Sequence, residues 1–298
     1  MRVDPFYVSS LVDALDQTQA RQQQLTSQLS SGARVTSLST DPVAAGENVL
    51  LLSQIQRDDS FTETSSLVQS QLQVTDSVLG QVVNQLTTAI GLATSANNGT
   101  LNASNLKSIS NQLASIAAEV TSLANTNYQG QYIFSGGQNS TQPFVTDSST
   151  SPSSTTYAGD SDVNYLTSPT GQTIQLNMPG NQIFTSSSAN VFEALNALVA
   201  DYASGSTDAS AVKDTEALSS ALSFVSQQRV VIDNSLSRLT TATQTASSEK
   251  LQLTAAQTNL MQASVAQVAT DLSLAETQQT ALESVIAKLG SGSLFDKL

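Results

Sequence analysis

The 298-residue sequence predicts a mainly α fold in which long N- and C-terminal helices pair as a coiled coil. A helical bundle layer follows, with a small β-rich insert at the distal tip. Three observations carry this. Apolar residues step by three and four over both ends of the chain, the stepping breaks at Gly/Ser/Pro clusters, and one central stretch changes to short runs with a strand period.

In the first helix Val8, Leu11, Leu15, Thr18, Gln22, Leu25 and Leu29 form a heptad seam with two polar positions, which calls for a partner helix. Ser30, Ser31 and Gly32 stop it, because glycine accepts the left-handed conformation of a helix end. Asp41 is the expected N-cap of the next helix and Pro42 its first residue, where a missing N–H costs nothing. That helix extends to about Ala96 on the seam Val68, Leu72, Thr75, Leu79, Val82, Leu86, Ala89 and Ala93, until "NNGT" breaks it. A third helix carries Leu106, Ile109, Leu113, Ile116, Val120 and Leu123. From Tyr132 to Phe184, runs such as "QYIFSGG", "TYAGDSDVNYLTS" and "GQTIQLNMPG" read as strands and turns. Helices resume at Val191–Tyr202, then with Leu218, Ala221, Val225, Gln228, Ile232, Ser235 and Leu239. The last seam is Val265, Val268, Leu272, Ala275, Gln279, Leu282, Ile286 and Leu289, ended by "GSGS", with "LFDKL" as a short apolar tail holding Leu294 and Phe295.

The expected division is 1–41 with 250–298 as a terminal helical domain, 42–130 with 186–249 as a helical bundle, and 131–185 as the β-rich insert. With heptad helices at both ends, the simplest layout is a hairpin whose ends lie together. Terminal helices of about 30 to 40 residues reach roughly 45 to 60 Å. Because Gln, Thr and Ala occupy several seam positions, the pair is marginal alone, and the two ends are expected to order on assembly. The assembly interface is therefore read as Val8, Leu11, Leu15, Leu25, Leu29, Val265, Val268, Leu272, Leu282, Ile286, Leu289, Leu294 and Phe295, and Gly32, Asp41 and Pro42 as a loop joining two layers.

Composition removes most chemistry. With no cysteine and no histidine, the chain has no disulfides, thiolates or imidazole ligands. A net charge of −13 with 11 basic residues argues against nucleic acid and anionic membranes as partners. A Sec-type leader and a membrane span are not expected, because no basic n-region precedes an apolar core and no run of some eighteen apolar residues occurs. Aromatics at 5% and charged residues at 12% bury little bulky surface per residue, which suits long paired helices better than a compact enzyme. Asp160, Asp162 and Asn164 resemble part of a calcium loop but lack its spaced glycine and closing glutamate, so a solvated turn is the expectation. Asp58, Asp59 and Glu63 read as surface charge, and "SGGQ" at Ser135–Gln138 as a turn rather than a phosphate loop, since no lysine follows. Catalytic residues, metal ligands and cofactors are not expected.

"LSSGARV" followed by "DPVAAG" resembles the N-terminal signature of the flagellin family, and the likeness extends over nearly the whole chain. The start "MRV", "DPVAAG", "YIFSGG", "YAGD", "MPGNQIF" to "VFEALNAL" and the ending "SLFDKL" are more similar to the branch of flagellar hook-associated proteins at the hook–filament junction than to flagellin itself. The loop "TSLSTDP" departs from the family pattern by lacking one proline and one aspartate. The resemblance implies an extracellular structural protein of the bacterial flagellum, exported by the flagellar type III apparatus with an export chaperone. It implies self-assembly into a ring that docks on hook-associated protein 1 and offers a surface for flagellin polymerisation. Flagellin itself, or a secreted adhesin or enzyme working through the β insert, are the alternatives.

Overall fold

The computed structural model of the chain describes residues 5–150 and 152–291. Long helices dominate it. α1 spans Pro5–Ser31, α2 Pro42–Ala96, α3 Ala103–Ala124, α4 Gly180–Ile183, α5 Val191–Ala203, α6 Ala209–Met261 and α7 Val265–Ser291. The helix ends follow their local chemistry. Gly32 takes φ +69° beyond α1 and donates its N–H to Gln28 O at 2.8 Å. Asn102 caps α3 by accepting the Asn105 N–H at 2.9 Å, and Asn190 caps α5 by accepting the Glu193 N–H at 3.1 Å.

The described chain divides into two compact units, residues 1–58 with 248–298, and residues 59–247. α2 and α6 each contribute to both.

The larger unit has one continuous apolar core. Leu79, Val82, Leu86 and Ala89 of α2, Leu113 and Val120 of α3, Leu195 and Leu198 of α5, and Leu218, Val225 and Leu239 of α6 are all buried in it. The three-four seams read from the sequence in these helices thus face one another within the chain. Amphipathic helices bury one stripe each, and here the stripes cover one another.

The β-rich stretch runs from 127 to 190 as four antiparallel pairs. β1 (Asn127–Tyr128) pairs with β2 (Gln131–Tyr132), and β3 (Phe144–Asp147) with β4 (Ser154–Tyr157). β5 (Tyr165–Thr167) pairs with β6 (Thr173–Gln175), and β7 (Thr185–Ser186) with β8 (Ala189–Asn190). Four separate two-stranded ribbons are marginal alone. A shared aromatic cluster anchors the β3–β4 ribbon and the segments beside it: Phe144 lies 5.0 Å from Phe192, 5.2 Å from Tyr157 and 5.4 Å from Phe184, centroid to centroid, and Phe134 stands edge-on to Phe184 at 5.3 Å, while Ile174 of β6 is buried in the same core. Phe192 belongs to α5, so the cluster ties the ribbons to the helical core. Gly180 is required here, since a Cβ would sit 2.7 Å from the Phe144 ring.

The smaller unit is built differently. α1 and α7 pack on each other, and the buried cluster between them is Leu25, Ala263, Val268 and Ala275, with Leu272 half-buried against it. The pairing is antiparallel: Leu25 near the end of α1 meets Val268 and Ala275 near the start of α7, whereas Ala14 and Arg21 border a groove with Leu282 and Val285.

Among the described residues no helix is long and apolar enough to cross a membrane.

Candidate functional site

Two features of the smaller unit bring the sequence-selected residues together: the face of the α1–α7 pair and the loop between α1 and α2.

On the helix pair, Leu25 and Val268 are buried, Leu11, Leu15, Leu272, Leu282 and Ile286 are half-buried, and Leu29 and Val265 are exposed at 38% and 59%. Val8 and Leu289 lie in helices, but their side chains fall outside the description, and Leu294 and Phe295 lie outside the described residues. The pair therefore covers only part of its own apolar surface. Tyr7, Val12, Leu274 and Val285 add to what is left exposed. Between the helices lies an open groove with Ala14, Thr18, Arg21, Ala281, Leu282 and Val285 on its walls. Gln22 has a buried amide nitrogen without a hydrogen-bond partner, a polar group at a seam position.

The loop is held more firmly than its Ser/Thr composition suggests. Asp41 accepts the Ala44 N–H on Oδ1 at 3.0 Å, and Pro42 occupies the first position of α2. Asp41 also accepts from the Arg34 guanidinium on Oδ2 at 3.0 Å. The Ala44 amide, first, and Arg34 hold the Asp41 carboxyl below the usual carboxylate range. Across the loop a second chain break faces the first. α6 ends at Met261 and α7 begins at Val265, and the residues between are zipped to the loop by an isolated antiparallel bridge from Ala33 to Gln262. Arg34 N–H donates to Met261 O at 2.7 Å, Ala263 N–H donates to Gly32 O at 2.9 Å, and Arg34 Nε donates to Leu260 O at 3.0 Å. Gln28 Nε2 closes the turn on Arg34 O at 2.7 Å.

The physical sense is clear from helix-end chemistry. The last carbonyls of α6 have no intrahelical partner and carry partial negative charge, and Arg34 supplies two donors and a positive charge there. The first amides of α2 carry partial positive charge, and Asp41 supplies the carboxylate. The ion pair between them links the two helix ends in alternating charge.

Sequence reading found Gly32, Asp41 and Pro42 but missed Arg34, Ala263 and the break at 262–264. One signal was available for Arg34, since it is a lone cation in an otherwise neutral stretch of a chain with 11 basic residues. Its partners are 226 positions away, beyond local pattern. Asp58, read as surface charge, is buried at 3% exposure, whereas Asp59 and Glu63 are exposed; its place on the inner stripe of α2 outweighs its charge. Asp160 accepts the Gly137 and Asp162 N–H groups on Oδ1 at 2.6 and 3.1 Å and so builds a turn.

Residues 8–139 match the family model of the bacterial flagellin N-terminal helical region. The particular proteins it resembles are narrower than that. It is 31% identical over 134 residues to flagellar hook-associated protein 3 of Salmonella typhimurium, a match covering 45% of this chain and 42% of the relative. It is 26% identical over 204 residues to the Escherichia coli protein of the same name, covering 64% and 62%. The match thus spans less than two thirds of the length of either relative. In fold, the chain is similar to flagellar hook associated protein-3 of Legionella pneumophila, with a TM-score of 0.63 at 15% identity over 71% of this chain and 98% of that one. It is also similar to the flagellar junction protein FlgL from Legionella pneumophila, at 0.58 and 16% over 73% and 100%.

Proposed function

We propose that this chain is a structural adaptor of the bacterial flagellum that joins hook to filament and has no enzymatic activity. It assembles as a ring at the distal end of the hook, docks there on hook-associated protein 1, and presents the surface on which flagellin polymerises. It reaches that place outside the cell through the flagellar type III apparatus, carried by an export chaperone.

The observation that carries this reading is the pairing of two facts. The chain matches hook-associated protein 3 in sequence, and its α1–α7 pair leaves apolar residues such as Leu29, Val265 and Leu274 in water. We read this exposed apolar surface as the contact face of the assembly. Residues 1–41 with 250–298 then act as the tube-forming part, with the interface residues named above on its contact faces, and the loop at Gly32, Asp41 and Pro42 joins that part to the outer helical layer. Because Arg34 and Asp41 tie helix ends together there, the joint transmits position rather than acting as a free tether.

Deletion of the gene, followed by electron microscopy and assay of flagellin in the medium, tests the proposal. Hooks without filaments, with unpolymerised flagellin released, is the expected outcome. Missing filaments with no other flagellin released would make this chain the filament subunit, and intact motile filaments would overturn both readings.

A further inference from the structure

Asn97 opens the "NNGT" cluster that stops α2, and its side chain does more than end a helix. Its backbone N–H donates to Ala93 O at 3.0 Å, while its side-chain amide reaches two other helices of the larger unit. Tyr202, next to last in α5, is fully buried, and its hydroxyl proton is shared between Asn97 Oδ1 at 2.9 Å and Ala93 O at 3.2 Å. Asn97 Nδ2 donates to Thr215 Oγ1, in the second turn of α6, at 3.1 Å and to Ala211 O, in the first, at 3.5 Å. The Thr215 hydroxyl in turn donates to Ala211 O at 2.7 Å.

These bonds run in one direction, from phenol to amide to hydroxyl to backbone carbonyl. An asparagine fits the middle because one planar group carries both an acceptor and a donor. Taking away any partner leaves a buried polar group unmatched, which costs more than the bond itself contributed, and bonds linked in series weaken together. The link also joins elements that share no strand or helix: the end of α2, the end of α5 and the start of α6.

We propose that Tyr202, Asn97 and Thr215 form a clasp across these three helix ends, which therefore open and close as one unit with the Tyr202 hydroxyl as the pin. Backbone bonds flank the clasp and report on it: Ser204 N–H to Ala200 O at 3.1 Å, Gly205 N–H to Tyr202 O at 3.2 Å and Val212 N–H to Asp208 O at 3.3 Å. Alkali releases the pin. A tyrosinate here would sit in a fully buried site with Asp201 on α5 and Asp214 on α6 as the charges acting on it. The α2 side offers the uncharged Asn97, α3 offers Ser110, whose hydroxyl is engaged by Val199 O at 2.7 Å, and Lys107 of α3 and Lys213 of α6 are exposed. Burial, first, and the two carboxylates push the phenol above its ordinary value, outweighing Thr215 and Asn97, which act the other way. The clasp is thus intact below the unfolded tyrosine value of about 10 and is lost as pH rises through the folded one.

Hydrogen exchange of the full chain at neutral pH tests this. Tyr202→Phe keeps the ring and removes only the pin. The amides of Asn97, Ser204, Gly205 and Val212 are expected to exchange together roughly five- to tenfold faster, with those of β3 and β4 unchanged. Thr215→Val, of similar shape, is expected to quicken the same set, and the double variant to go no further than either single one, because a clasp opens once. Ultraviolet titration of the phenols should show one fewer late-titrating tyrosine in Tyr202→Phe. Unchanged exchange in Tyr202→Phe, quickening confined to one helix end, or additive effects in the double variant would overturn the clasp. Should the variants fail to fold, the wild type decides: one common protection for the four amides supports the clasp, and unrelated values overturn it.

Discussion

The two compact units use the same raw material, three-four apolar stripes, and reach opposite solutions. In residues 59–247 the stripes of four helices close on one another, and Phe134, Phe144 and Phe184 lock the ribbons onto the same core, each with no exposure. In residues 1–58 with 248–298 the buried cluster between the paired helices holds two alanines, one leucine and one valine, and many larger apolar side chains stay in water. Folding rewards area removed from water, about 25 cal/mol per Å². A helix pair that leaves Tyr7, Val12, Leu29, Val265 and Leu274 exposed gains little of that by itself. The difference teaches that one unit is stabilised from within, whereas the other leaves much of its apolar surface in water, the surface that the assembly proposed above would cover.

The largest effect expected is on assembly. Leu282 lies half-buried on the groove between α1 and α7. Leu282→Asp should leave export and the urea unfolding of the larger unit unchanged while abolishing incorporation into flagella, since a charge in a packed seam is costly. Normal filaments in that strain would break the comparison. Within the monomer, the self-contained unit should be the one that suffers from truncation. Phe144→Ala removes a ring with three neighbours in the aromatic cluster and should cost roughly 3 to 5 kcal/mol, against distinctly less for Leu25→Ala, whose surroundings are small and open. Equal losses of urea stability in the two variants would show that the smaller unit is as tightly packed as the larger. Hydrogen exchange sharpens the point: amides of α1 and α7 should exchange far faster in the isolated chain than those of α3, because local opening there exposes little new apolar surface. Strong protection of residues 5–29 and 260–289 would count against ordering on assembly.

The smallest effect lies in the joint. Asp41→Ala removes the cap of α2 and the partner of Arg34, so exchange at Ala44 and Ala45 should quicken while distant amides stay unchanged. Because the folded Asp41 value is depressed, its contribution is present above the unfolded value and lost as pH falls through the folded one. Acid should therefore fray the start of α2 in the wild type and have no such added effect in Asp41→Ala. Tyr157 behaves in the reverse sense in alkali. Burial pushes its phenol up to about 12, and the hydroxyl shares its one proton between Phe134 O and Asp160 O, at 2.9 and 2.7 Å. Stability from this group is present below its unfolded value of about 10 and lost as pH rises toward 12.

What the sequence determined by itself is the helical frame. The stripes of α2, α3 and α6 are legible because a 3.6-residue period repeats the same face over many turns. The stops at Gly32 and in "NNGT" and the cap at Asp41 are legible because left-handed φ and N-terminal amide capping are decided within a few residues. Only the tertiary structure decided which polar and aromatic groups meet. Arg34 reaches the end of α6 from 226 residues away, Phe192 joins rings from the ribbons, and Asp58 goes inside on the stripe of α2. Nothing in local spacing carries such pairings, because they depend on how whole helices dock, and docking is settled by the sum of buried area rather than by any single residue.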